Sequence, residues 1–193
     1  MWLIAGLGNP GPEYEGTRHN LGFMALDALS RRWKIPVLET GGRIALGRGR
    51  RRGGNIVLAK PLTFMNRSGE VLGPLALREG IGESDLLVLV DDLDLPLGTL
   101  RFRPGGGTAG HRGMESLVQC LGHDRFRRIR LGIGRPASET MDESQYVLSP
   151  FAEDELATVQ KVIEAASVLT ESVVFGGRNA PVTLKVPEGK EGL

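Results

Sequence analysis

Hydrophobic positions along the chain alternate between two patterns: short unbroken apolar runs, and spacings of three and four residues. Residues 2–7 are an apolar run closed by glycine, which predicts a buried strand. Residues 20–33 carry Leu21, Met24, Ala25, Ala28, Leu29 and Trp33 near helical spacing, with Asn20 as the expected N-cap. Residues 43–46 and 55–60 read as strands joined by an Arg/Gly-rich hairpin tip over 47–54. Residues 67–79 read as a helix started near Asn66 or Ser68, with Pro74 expected to bend or divide it. Residues 86–90 predict a central strand. Residues 99–103 predict a strand in which Leu100 and Phe102 alternate with Arg101 and Arg103. A helix over 111–121 follows the Gly105–Gly107 loop, then a strand over 127–133 and a long amphipathic helix over 152–174. After Gly177 the pattern fades, which predicts one domain over 1–180 and a disordered tail over 181–193. This alternation predicts an α/β fold, a three-layer α/β/α sandwich around a mixed, mostly parallel sheet.

Composition narrows the class. Of 193 residues, 40% are hydrophobic, enough for a sizeable core, and the net charge of +1 excludes a highly basic binder or an acidic disordered chain. The single cysteine excludes an internal disulfide and any multi-cysteine zinc site. No apolar run reaches membrane-spanning length, and the apolar start lacks a basic leader region, so a cytoplasmic protein with no membrane partner is expected. The neutral total conceals segregation. Residues 41–60 carry Arg43, Arg48, Arg50, Arg51, Arg52 and Lys60 without an acid, and residues 101–135 carry eight arginines against Glu115 and Asp124. Such clusters suit either a solvated surface or a phosphate-binding face.

Polar residues collect where strands are expected to end, and α/β folds build ligand sites there. Asn9 follows the first strand, His19 precedes the first long helix, Asn66 follows the strand ending near Lys60, and Asp91, Asp92 and Asp94 follow the central strand. His19 is either an ordinary helix-start residue or a general base, since an imidazole titrates near neutrality. Asp91 either satisfies nearby backbone donors or orients that imidazole, and strand alternation sends Asp92 to the other side. The aspartates would alternatively hold Mg²⁺ in a metal-dependent phosphoesterase. Gly6-Leu7-Gly8-Asn9-Pro10-Gly11 fits a dinucleotide-binding motif by letter, but Pro10 and Pro12 remove backbone donors and no helix starts at Gly11. No nucleophile-elbow serine is present, and no metal-ligand spacing joins His19, His111 and His123.

Five blocks in order resemble the bacterial-type peptidyl-tRNA hydrolase family. They are Gly6–Gly11 with Tyr14 and Thr17-Arg18-His19-Asn20; Thr63-Phe64-Met65-Asn66 with Ser68-Gly69; Asp91-Asp92-Leu93-Asp94-Leu95-Pro96; the glycine loop leading to His111 and Gly113; and Arg130-Leu131-Gly132-Ile133-Gly134. The resemblance spans residues 1 to about 175 and implies a monomeric, metal-free and cofactor-free hydrolase. Its substrate would be the ester joining a peptide to the terminal ribose of tRNA, so that tRNA is recycled in translation and ribosome rescue. It implies His19 as general base with Asp91 as partner, and Asn9 and Asn66 on the peptide and the attacked carbonyl. Tyr14, Met65 and His111 would contact the substrate, and Arg103 with Arg130 would clamp a tRNA phosphate. One departure stands out: Arg112 occupies the position where the family usually has asparagine, and Thr108 and Ala109 stand where it favours histidine and glycine. Arginine only donates hydrogen bonds, whereas a carboxamide also accepts. An inactive RNA-binding protein of the same fold is the alternative that Arg112 keeps open.

Overall fold

The computed structural model describes residues 1–136 and 141–187. In chain order the elements are β1 (Trp2–Gly6), α1 (Leu21–Trp33), β2 (Leu38–Thr40), β3 (Ile44–Arg51), β4 (Gly54–Pro61), α2 (Gly69–Arg78), β5 (Leu86–Asp92), β6 (Thr99–Arg103), α3 (Arg112–Leu121), β7 (Arg127–Gly132), α4 (Glu143–Val147), α5 (Leu156–Phe175) and β8 (Val182–Lys185). The sheet order is β2-β3-β4-β1-β5-β7-β6-β8. Its centre, β4-β1-β5-β7, is parallel, and both margins are antiparallel. The expected mixed α/β sandwich is therefore what the chain forms.

Strand alternation divides the core into two. Ile4, Leu87, Leu89, Ile129 and Leu131 face α1 and α5, while Leu3, Ala5, Val88 and Val90 face α2 and α3. β5 is buried along its whole length, because it has a parallel neighbour on each side and helices on both faces. The glycines after β1 serve packing rather than a nucleotide. A Cβ on Gly8 would lie 2.6 Å from the Phe23 ring, and one on Gly22 would press on the carbonyls of Leu7 and Leu89, so α1 starts flush against the exits of β1 and β5.

Four local expectations are corrected. The hairpin strands extend through most of the segment expected as a tip, leaving Arg52-Gly53 as a two-residue turn with φ of 47° and 81°. Positive φ at both positions matches the twist that hairpins favour. Pro74 does not divide α2, which runs unbroken from Gly69 to Arg78, because the proline sits on the exposed side of the helix. Asn20 starts α1 without capping it; its side chain is used on Asn9 instead. The segment expected as a disordered tail contributes β8, which pairs with β6 through Leu100↔Leu184 and Phe102↔Val182, and Val186 N–H donates to Gly98 O at 2.8 Å. A four-residue edge strand held by backbone bonds leaves almost no periodic trace. Residues 188–193 of that expected tail lie outside the described residues.

Candidate active site

The parallel strands deliver their carboxyl ends to one edge, where a cleft of about 710 Å³ opens. It is lined by Asn9, Tyr14, His19, Phe64, Met65, Asn66, Asp91, Asp92, His111, Arg112, Arg130 and the segment from Asp142 to Leu148. Nearly every residue singled out in the sequence is thus brought together. Arg103 is the exception: it is exposed at the end of β6 and does not line the cleft.

At the floor, Asp91 receives two imidazoles. His19 Nδ1 lies 2.8 Å from Oδ2 and His111 Nε2 lies 2.9 Å from Oδ1. The tautomers follow from the remaining partners. His111 Nδ1 accepts the Gly113 and Met114 amides at 3.1 and 3.4 Å, capping α3, so its proton sits on Nε2 and is donated to Asp91. An ionised carboxylate only accepts, so His19 donates from Nδ1 and keeps a lone pair on Nε2. His19 remains partly exposed, with 12% of its side chain accessible against 2% for Asp91. Burial by itself opposes ionisation of Asp91, but the two imidazoles outweigh it and hold the carboxyl far below the usual carboxylate range. A depressed folded pKa means that this carboxylate's contribution to stability is present above its unfolded pKa and is lost only as pH falls through the folded value, in strong acid. The acid limb of a rate profile should therefore show no added proton uptake by Asp91. Proton uptake by Asp91 in that limb would contradict this.

The three groups have ligand atoms within 4.8 Å of one another, so the donor set resembles a metal site. Ligating from His111 Nε2 would require moving its proton to Nδ1 and giving up both cap bonds, which disfavours that use. As strand alternation predicts, Asp92 turns away from His19. It pairs with Arg130 at 3.0 Å, and Arg130 also donates to Gly107 O at 2.6 Å.

Asparagines build the other wall. Asn20 Oδ1 accepts the Asn9 amide at 2.8 Å, and Asn20 Nδ2 donates to Asn9 O at 3.0 Å, fixing the turn after β1. Asn9 Oδ1 accepts the Met65 amide at 2.7 Å, and its Nδ2 has no protein acceptor among the described residues. Asn66 and Phe64 are exposed at the rim, with Tyr14 edge-on to Phe64 at 6.5 Å.

Two features escape sequence reasoning. Arg18, beside His19, is buried between the Tyr146 and Phe151 rings, 4.4 and 4.8 Å from their centroids, and makes a bidentate pair with Glu155 at 3.0 and 2.5 Å. Its backbone N–H also donates to Ser149 O, so the turn carrying His19 is clasped to the segment around α4. Arg18→Met, which leaves the partly exposed Glu155 with only the Ala152 amide, is expected to lower unfolding stability by about 1–3 kcal/mol, read by urea denaturation. A loss within error would show the clasp to be ornamental. Arg128, buried and with no carboxylate partner among the described residues, donates to the carbonyls of Gly106, Gly107, Asp124 and Phe126, pinning the glycine loop. Burial, with Arg130 beside it, lowers Arg128 to about 10, so it remains cationic at neutral pH.

Within that loop Ala109 has φ of 52°, a left-handed conformation that a Cβ disfavours. Ala109→Gly is expected to raise stability by about 1 kcal/mol, measured as a shift in the denaturation midpoint. A fall would show that the alanine methyl packs usefully. Arg112, the first residue of α3, is exposed at the cleft and has no protein acceptor among the described residues.

Comparison with known proteins adds family context. The family model described as peptidyl-tRNA hydrolase matches residues 3–188. The chain is 47% identical over 167 residues to the peptidyl-tRNA hydrolase of Bacillus cereus, covering 86% of this chain and 89% of the relative. It is 44% identical over 174 residues to that of Geobacillus kaustophilus, covering 90% and 93%. Among solved structures, the peptidyl-tRNA hydrolase of Acinetobacter baumannii superimposes with a TM-score of 0.85 at 34% identity, covering 92% of this chain and 90% of that one.

Proposed function

Since this chain belongs to the peptidyl-tRNA hydrolase family, we propose that it hydrolyses the ester between a peptide and the 3′-terminal ribose of tRNA, with His19 as general base. The observation that carries this reading is the free Nε2 of His19 at the cleft surface, behind which Asp91 is held by two donors. His19 Nε2 removes a proton from water as the oxygen attacks the ester carbonyl, and Asp91 stabilises the imidazolium that forms. Collapse of the tetrahedral intermediate expels the ribose 3′ oxygen, which takes the proton back from His19. Asn9 Nδ2 and the exposed Asn66 carboxamide supply donors for the peptide and for the carbonyl oxygen as its charge grows. Tyr14, Phe64 and Met65 offer an apolar wall to the substrate's 3′ end.

Arg103 carries no protein acceptor among the described residues and is free for a tRNA phosphate, while Arg130, shared with Asp92 and Gly107 O, is the more firmly held member of the pair. Arg112 supplies a further cation at the mouth, where it can meet a phosphate or a developing oxyanion. Arg112→Asn is expected to alter turnover by at least about tenfold, the size of effect that removing one charge-assisted hydrogen bond produces. A change under about twofold would make the position dispensable.

We take the enzyme to act as a monomer on tRNA in the cytoplasm, and membership of a family named for peptidyl-tRNA supports the tRNA substrate. No helix among the described residues is long and apolar enough to cross a membrane. The deciding assay is release of the N-blocked amino acid from N-blocked aminoacyl-tRNA, with and without chelator. Turnover that persists in chelator is expected. Tight tRNA binding without turnover would favour an RNA-binding role, and turnover abolished by chelator a metal-dependent one.

A further inference from the structure

The cleft occupies the edge of the sheet where the parallel strands end, and the opposite edge is also rich in arginine. Arg51 and Arg52 close the β3–β4 hairpin at the start of β4, Arg127 opens β7, Arg32 lies in the last turn of α1, and Arg178 follows α5. Side-chain interactions join them into one patch. Arg32 and Arg51 share Glu171 at 3.2 and 3.3 Å, Arg51 lies over the Trp33 ring, and Arg52 lies over Phe175, whose ring is 5.5 Å from Trp33. Arg178 donates to Ser172 Oγ, and Arg127, over Trp2, donates to the Arg178 carbonyl. Glu171 is the one carboxylate bonded within this patch among the described residues, and only 16% of its side chain is accessible, against 49% for Arg32. The seven residues of β5 separate this edge from the cleft by about 20 Å.

We propose that this edge is a second RNA-binding face, which holds the phosphate backbone of an RNA segment other than the acceptor end in the cleft. Charge complementarity is the argument. Five guanidiniums against one shielded carboxylate make a strongly positive surface on a chain whose net charge is only +1. Of the three arginines stacked on rings, Arg52 on Phe175 is exposed and carries no protein acceptor among the described residues, so its guanidinium is open to a phosphate, while half-buried Arg51 and Arg127, each with one nitrogen held by the protein, add positive charge beneath it. The exposed large apolar side chains of this protein are not the rings of this patch, so insertion into a bilayer is the poorer fit.

The test measures filter binding of tRNA lacking its 3′ terminal nucleotides, as a function of salt, for the full-length protein and its R32Q/R52Q/R178Q variant. The variant is expected to bind at least about tenfold more weakly near 0.1 M salt. Its logarithmic dependence of affinity on salt should be shallower by about 0.9 for each phosphate it no longer neutralises. The weakening should recur undiminished in an Arg103→Gln background, which separates this face from the acceptor-end interactions. R32K/R52K/R178K should retain affinity, and it serves as the comparison if the glutamine variant is unstable. Unchanged RNA affinity and salt slope in the glutamine variant would overturn the proposal. So would a variant whose binding weakens only to phosphatidylglycerol vesicles, which would assign the face to a membrane surface. Because the probe carries no ester, the result does not depend on whether the cleft is catalytic.

Discussion

His19→Ala should lower kcat on N-blocked aminoacyl-tRNA by about 10²–10⁴-fold, the contribution of a positioned general base, while tRNA affinity stays close to that of the parent. The expectation rests on which groups depend on the ring. Its Nδ1 is committed to Asp91, and no other protein partner of its Nε2 is present among the described residues, so truncation removes the proton acceptor and little else. Asp91 keeps its second donor from His111 and α3 keeps its cap, so the cleft survives. Tyr14, Met65, Arg112 and Arg130, which line the cleft, are untouched. Single-turnover kinetics beside equilibrium binding separate the cases. A variant with unchanged kcat and a raised KM would make His19 a binding residue and remove the proposed mechanism.

Asp91→Asn should be comparably damaging, about 10²–10⁴-fold in kcat, through a reversed tautomer rather than a missing side chain. A carboxamide offers one oxygen and one NH₂ group to two imidazoles that both donate. His111 cannot yield, because the Gly113 and Met114 amides occupy its Nδ1. The asparagine oxygen therefore goes to His111, and the NH₂ faces His19, which must then accept at Nδ1 and carry its proton on Nε2. A water at that nitrogen meets a donor where it needs a base. Nitrogen NMR of the variant should show His19 with the proton moved to Nε2, together with the fall in kcat. A wild-type tautomer with full activity would defeat the argument.

The sequence carried the parts of this arrangement that depend on local periodicity. β5 is legible because five apolar residues precede the aspartates, and the division of labour between Asp91 and Asp92 follows from strand alternation alone. The glycine loop after β1 is legible as a turn, and its letter match to a nucleotide motif fails because its prolines remove the donors a pyrophosphate would need. What escaped was chosen by tertiary packing. His111 reads as the first residue of a helix, and nothing local says that its far nitrogen meets a strand exit 20 residues back. Asn20 has the right residue type for a cap, yet the Asn9 backbone, 11 residues away, takes its side chain. Arg18 and Glu155 lie 137 residues apart and look like two ordinary surface charges until aromatic rings enclose the arginine. β8 is held mainly by backbone bonds, which side-chain patterns do not register.

Asp91 is the penultimate residue of the strand that joins β1 to β7, and its two histidines are contributed from chain positions 72 residues before it and 20 after it. A chain returning from denaturant must therefore close loops of 72 and 20 residues before this triad exists, and such non-local closures are the slow ones. Restored hydrolysis should trail the return of helical circular dichroism in a refolding time course, which would make ester cleavage a clock for the last step of assembly.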